Sequence, residues 1–284
     1  MDNFYIIANL QKDSDFVFTG QICDYIKSRG RKCSYQEFDA KNQDGKYNSA
    51  DVKKIPPDTE CVIVLGGDGT LIQAARDLSS IDVPVFGINI GTLGYLTDID
   101  REQAFPAIDM LIAGDCSIDR RMLLCGDVYH EGRKIYSRIA LNDIVVNRMG
   151  SLKIINFDVY VNGEFLITYP ADGLILSTPT GSTAYNLSAG GPIVRPQTEC
   201  IVMTPVCPHV LNKSSVIFGG EDVLEIRMSH AHTGVEERVA TFDGGSYVKL
   251  TTGDRIVIRK SDSYAKLLRT GNQNFLQILR NKLS

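Results

Sequence analysis

The sequence predicts an α/β N-terminal domain followed by an all-β C-terminal domain, and three observations carry that prediction. The first third alternates short β-branched runs with helical stretches, the pattern of a parallel sheet covered by helices. From Cys116 to about Leu268 most segments are strand-like and separated by turn residues. A composition of 43% apolar and 23% charged residues over 284 positions is that of a globular chain, long enough for two ordinary domains without a metal or disulfide staple.

Taken in order, FYIIAN (4–9) reads as a strand, 15–29 as a helix and CSYQEF (33–38) as a second strand. A polar stretch over 40–57, rich in Asn, Asp and Lys and ending in Pro56-Pro57, reads as a mobile loop. CVIVLGG (61–67) is a buried strand, LIQAARDL (71–78) a helix, and VPVFGINI (83–90) another strand. After a helix over 102–113 the grammar changes, and Asn162-Gly163 between DVYV and EFLITY marks a hairpin. Gly253-Asp254 marks a further turn, and NFLQILRNKL (274–283) reads as a terminal helix. The expected division is an α/β domain over 1–100, a β-rich domain over 101–268, and a C-terminal helix over 269–284 that packs back on the first domain.

A net charge of −4 offers no broad basic field for nucleic acid or an anionic membrane, so neither is expected as a partner. The start, MDNFYIIANL, lacks a basic segment leading into a long apolar run, and no later apolar run approaches membrane-spanning length; a soluble, cytoplasmic protein is expected. The seven cysteines form no C-x-x-C pair, which fits reduced thiols. His230 and His232 lack acidic or Cys partners at ligand spacing and read as loop residues, so no metal-ligating residue is named.

Three clusters carry chemistry. The first, Gly66-Gly67-Asp68-Gly69-Thr70, lies between a buried strand and a helix, where free backbone N–H groups can take phosphate. Asp68 is an anion at neutral pH and suits accepting a proton from a hydroxyl or holding Mg²⁺; the alternative is a plain turn with Asp68 as helix cap. Neither the P-loop pattern nor G-x-G-x-x-G occurs. The second runs from Asp172 through STPTGSTAY to Ser188 and the Gly190-Gly191-Pro192 turn. Its hydroxyls and N–H groups can bind ribose or phosphate, and Tyr185 offers a ring beside a base; alternatively the hydroxyls satisfy the loop's own backbone. The third is Asn142-Asp143, at the head of an apolar strand, suited to an adenine edge and ribose hydroxyls or else to a simple Asx turn.

With GGDGT at 66–70, LGYLTDI at 93–99, Asn142-Asp143, DGL and STPTGSTAY within 172–185, and SAGGP at 188–192, the sequence resembles the NAD kinases, particularly the bacterial ones. Order and spacing match over about 61–192, and a weaker likeness continues through TPVCPH (204–209) and FDGG (242–245). GGDGT is shared with diacylglycerol, sphingosine and phosphofructo kinases, whereas its combination with STPTGSTAY is specific. The resemblance implies a Rossmann-like parallel sheet in the first domain, a β-rich second domain, and an active site in the interdomain cleft. It implies phosphorylation of the adenosine-ribose 2′-hydroxyl of NAD to give NADP, with ATP or another phosphate donor and Mg²⁺ or another divalent metal.

Carried over residue by residue, the resemblance makes Asp68 the carboxylate that takes the 2′-hydroxyl proton, with Gly67, Gly69 and Thr70 in the phosphate-binding turn. Asn142 and Asp143 would hold adenine and ribose, and Lys153 would face the added phosphate. Asp172, Thr183, Ala184, Tyr185, Asn186 and Ser188 would bind the dinucleotide. A homodimer or homotetramer is implied as well. Pro170 stands where many bacterial members have Arg, Gly245 interrupts a common Asp-Gly-Gln run, and Asp143 replaces the commoner Glu. These departures bear on affinity and donor choice. The rival readings are a lipid kinase sharing GGDGT and a non-catalytic NAD-binding sensor; the first would need a more apolar acceptor groove, and the second leaves Asp68 without purpose.

Overall fold

A computed structural model describes residues 1–36, 52–91, 94, 96–97, 99–149, 155–210, 213–228, 237–271 and 275–283. The chain divides into two compact units, Met1–Arg120 with Tyr264–Ser284, and Arg121–Ser263. The division differs from the expected boundaries at 100 and 268, because residues 101–120 and the chain from Tyr264 onward group with the first unit.

In the first unit, strand β1 (Asn3–Ala8), helix α1 (Val17–Ser28) and strand β2 (Lys32–Tyr35) are followed by β3 (Cys61–Gly66), α2 (Asp68–Leu78), β4 (Val85–Asn89), a short β5 (Ile99–Asp100) and α3 (Ala104–Ala113). Most of the polar stretch expected over 40–57 falls outside the described residues. The strands pair in the order β5-β4-β3-β1-β2, every pair parallel, with Ile6 opposite Ile63 and Val62 opposite Val85. β3 is buried at every position, as expected of a central parallel strand covered on both faces. Ile22 and Ile26 of α1 and Ile108 and Leu111 of α3 join Ile6, Ile63, Leu65 and Ile88 in one apolar cluster.

The β-rich unit begins within β6 (Ser117–His130), which hairpins with β7 (Arg133–Ala140). Strands β8 (Asp143–Met149), β9 (Ile155–Val161), β10 (Glu164–Ala171) and β11 (Gly173–Ser177) follow, then the short helix α4 (Tyr185–Ser188). β12 (Cys200–Val206), β13 (Val216–Gly219), β14 (Leu224–Met228), β15 (Glu237–Phe242) and β16 (Ser246–Leu250) lead to the long β17 (Arg255–Arg269) and the terminal helix α5 (Phe275–Leu283). An antiparallel sheet runs β13-β12-β11-β8-β15-β16, and a second antiparallel set runs β10-β9-β14-β17. Alternate residues of both sets, among them Ile144, Val146, Leu174 and Leu176 against Phe157, Val159, Ile226 and Ile258, share one core. The expected hairpin is present: Asn162 and Gly163 have φ of 51° and 87°, the left-handed pair that matches the twist of β9 and β10.

The end of β17 belongs to the first unit. Leu267 pairs in parallel with Val85 of β4, and Leu268 is buried in the first core. All seven cysteines are free thiols.

Candidate active site

In the first unit, strand order places the glycine-rich motif. The chain leaves β1 for β2 on one side and returns to β3 on the other, so the carboxyl ends of β1 and β3 flank the switch point where open α/β sheets take ligands. The segments leaving those ends are 9–13 and 66–70. Asn9 Nδ2 donates to Thr70 Oγ1 at 3.0 Å, locking one to the other. A Cβ on Gly66 would lie 2.6 Å from Thr70 Oγ1, which is why glycine stands there. Thr70 is therefore a buried clasp between two segments. Lys12, exposed, carries its ammonium 3.3 Å from where a Gly67 Cβ would be, a cation beside the glycine turn that motif reading missed.

Asp68 is not a cap. Helix α2 starts at Asp68, earlier than the expected Leu71, and its N-cap is Gly67, in extended conformation, with no side-chain capping bond. None of Gly66, Gly67 and Gly69 has positive φ, and with Asp68 not a cap the plain-turn alternative loses its support. The Asp68 carboxylate reaches instead to the segment after β4. Its Oδ1 accepts from Leu96 N at 3.1 Å, Thr97 N at 3.0 Å and Thr97 Oγ1 at 2.9 Å. Thr97 is itself fixed by Asn89 Nδ2 at 3.2 Å from its hydroxyl. A Cβ on Gly94 would coincide with the Asp68 carboxylate, so that glycine gives the side chain its room. Three donors on one oxygen set the orientation of the carboxylate firmly.

The second unit presents the other motifs. Asn142, half-buried at the head of β8, is gripped through its backbone: its N–H donates to Asp243 Oδ1 at 2.7 Å, and its carbonyl accepts from Thr178 N at 2.8 Å. Asp243 also takes the N–H groups of Leu141 and Asp143, at 3.0 and 3.3 Å. Gly181 packs so closely that a Cβ there would strike the Asn142 carbonyl. Asp143 is buried, and burial first, then the neighbouring Asp243 carboxylate, push its pKa up to about 7.

The hydroxyl-rich segment divides between two roles. Thr178 Oγ1 donates to Leu141 O at 2.5 Å, Ser182 Oγ to Pro179 O at 2.6 Å and Thr183 Oγ1 to Thr180 O at 3.3 Å, so these groups serve the loop. Asn186, expected at the dinucleotide, is fully buried. Its amide protons go to Ser182 O and Pro192 O, both at 3.0 Å, and its Oδ1 accepts from Thr204 at 2.7 Å. With its side-chain amide engaged inside the fold, Asn186 braces the turn. Tyr185, 41% exposed, and the exposed Ser188 remain outward on α4, with Ala184 and Thr183 half-buried before them.

Asp172, expected at the dinucleotide, meets a partner that motif reading overlooked. Arg148 Nε donates to its Oδ1 at 2.8 Å and Nη2 to its Oδ2 at 3.3 Å, a two-pronged pair from the adjacent strand β8. Pro170 gives no cation, and Arg148 brings one to this carboxylate. Lys153, His230 and His232 lie outside the described residues. Among the described residues no three His, Cys, Asp or Glu side chains gather into a metal cage.

The models of the ATP-NAD kinase N-terminal and C-terminal domains match residues 11–116 and 141–270. The chain is 49% identical over 295 aligned positions to an NAD kinase of Lachnospira eligens, covering all of both chains. It is 42% identical to an NAD kinase of Agathobacter rectalis, covering 100% of this chain and 99% of the other. Among solved structures, a yeast NADH kinase complexed with NADH aligns with a TM-score of 0.83 at 26% identity, over 100% of this chain and 87% of that one. An NAD kinase from Archaeoglobus fulgidus in complex with ATP shares the fold at TM-score 0.75 and 22% identity, over 99% and 98% of the two chains.

Proposed function

The chain belongs to the NAD kinase family, and from that membership we propose that it transfers the γ-phosphoryl group of ATP to the adenosine-ribose 2′-hydroxyl of NAD, giving NADP and ADP. The observation that carries the reading is the Asp68 carboxylate, fixed through Oδ1 by three donors at the carboxyl end of the central strand. In the transfer the 2′-O–H bond breaks and its proton passes to Asp68. The freed oxygen forms its bond to γ-phosphorus while the bond to the β,γ-bridging oxygen breaks, and ADP leaves with that electron pair.

The protein's work is positioning and charge placement. The helix start at Gly67 and Gly69 offers backbone donors to phosphate, and the Lys12 ammonium nearby adds positive charge. Asn142 and Asp143 serve adenine and ribose, with the Asn142 backbone immobilised so that its side chain is presented in one direction. Tyr185 and Ser188 contact the dinucleotide from α4, and Asp172 does so from its pair with Arg148. The family resemblance supports Lys153 as the basic residue for the added phosphate. A divalent cation such as Mg²⁺ would neutralise donor phosphate charge; among the described residues no cluster of three His, Cys, Asp or Glu side chains gathers to hold it. Seven free thiols support a reducing, cytoplasmic setting, and family membership supports assembly as a homodimer or homotetramer.

The test is direct. Purified protein incubated with NAD, ATP and Mg²⁺ should generate NADP, detected with an NADP-specific dehydrogenase. Absence of product with ATP and with polyphosphate, on NAD and on NADH, would overturn the reading.

A further inference from the structure

The loop that holds Asp68 is itself held, from 173 residues further along the chain. Arg269, the last residue of β17, donates from Nη1 to the carbonyl oxygen of Leu96 at 2.9 Å. Its Nε lies 3.6 Å from Asp119 Oδ2, with the two side chains only 17% and 13% exposed. The Leu96 carbonyl and the Thr97 N–H belong to one peptide group, and that N–H donates to Asp68 Oδ1 at 3.0 Å. A single rigid plane thus joins guanidinium to carboxylate. Because the peptide is planar, fixing its oxygen fixes the direction of its N–H. A charged donor on the carbonyl also polarises the group and strengthens the bond at its other end.

We infer that Arg269 is a positioning residue for Asp68, acting through the Leu96–Thr97 peptide. All the residues involved lie in the first unit. The inference rests on Asp68 as the proton acceptor of the kinase reaction. Arginine suits the post because its fork addresses a carbonyl and a carboxylate from different nitrogens, which a lysine ammonium does not do in the same geometry. Lys266, on the same strand, provides the contrast: it pairs with the exposed Asp82.

The experiment compares Arg269→Gln, Arg269→Lys and Lys266→Gln, each in the wild-type and Asp68→Asn backgrounds, with two readouts. In steady-state kinetics Arg269→Gln should lower kcat by roughly tenfold or more while leaving KM for NAD and ATP within about twofold. Arg269→Lys should recover part of the loss, and Lys266→Gln should leave kcat unchanged. In the Asp68→Asn background Arg269→Gln should change residual turnover by less than about twofold, since the two residues act as one unit. Hydrogen exchange of the unliganded protein should show faster exchange at the Leu96 and Thr97 amides in Arg269→Gln alone. Undiminished kcat, equal losses in both backgrounds, or unchanged exchange would each overturn the inference. If the wild-type protein makes no NADP, the kinase reading fails, while the exchange readout still decides the relay. Should Arg269→Gln not fold, Arg269→Lys decides: full kcat with native exchange at Leu96 and Thr97 overturns the inference.

Discussion

Asp143 shows how burial sets chemistry at a single residue. Its carboxyl sits beneath the surface beside the Asp243 carboxylate, and its pKa rises to about 7, so near neutral pH it is divided between two protonation states. In the proposed site a ribose hydroxyl donates to the ionised form, so NAD binding would favour loss of the proton. The sign follows: affinity for NAD should increase as pH rises through about 7, by at most about tenfold per pH unit for one linked proton. Titration calorimetry from about pH 6 to pH 8 checks it. Asp143→Asn should flatten the profile, and a profile unaltered by that change would remove Asp143 from the binding step. For the fold the same shift works the other way: the neutral form is the one favoured by folding, so this contribution is present below the ordinary carboxylate pKa and is lost as pH rises through about 7. Asn186 carries the opposite lesson. Its place in STPTGSTAYN does not reveal that Ser182, Pro192 and Thr204 engage its side-chain amide.

Among the elements, the segment between β4 and β5 matters more than its length suggests. Gly94 leaves the space that the Asp68 carboxylate fills, and Leu96 and Thr97 hold it there. Gly94→Ala should push the carboxylate off its donors and reduce kcat by about 10- to 100-fold, with KM for ATP little changed. Steady-state kinetics on a variant with a native circular dichroism spectrum checks this, and wild-type kcat would show that the loop yields without cost. Much of the architecture was legible in advance: the parallel strands through 90, the Asn162-Gly163 hairpin and the glycine-rich helix start all follow from local pattern. The clamps were not. Asp243 grips Asn142 from 101 residues away and Arg269 grips Leu96 from 173, and spacing along a chain says nothing about such pairs. Arg148 was hidden differently, since only the pairing of β8 with β11 brings it to Asp172.

On the scale of the whole molecule, the chain builds two cores, and its last segment returns to the first of them. Leu268, 3% exposed, belongs to the core made by β1, β3 and α1. Leu268→Ala should therefore destabilise the first unit by about 2–5 kcal/mol, read by urea unfolding; a loss under about 0.5 kcal/mol would place the terminal strand outside that core. The returning strand also delivers Arg269, so the part of the fold that completes the core reaches the loop that holds the Asp68 carboxylate. The account as a whole stands on Asp68 as proton acceptor. Its most direct test is single-turnover formation of NADP by Asp68→Asn at saturating NAD and ATP, alongside the dissociation constant for NAD. The account predicts a rate lower by at least about 10²-fold with NAD affinity within about threefold of wild type. Near-native turnover in that variant would contradict it.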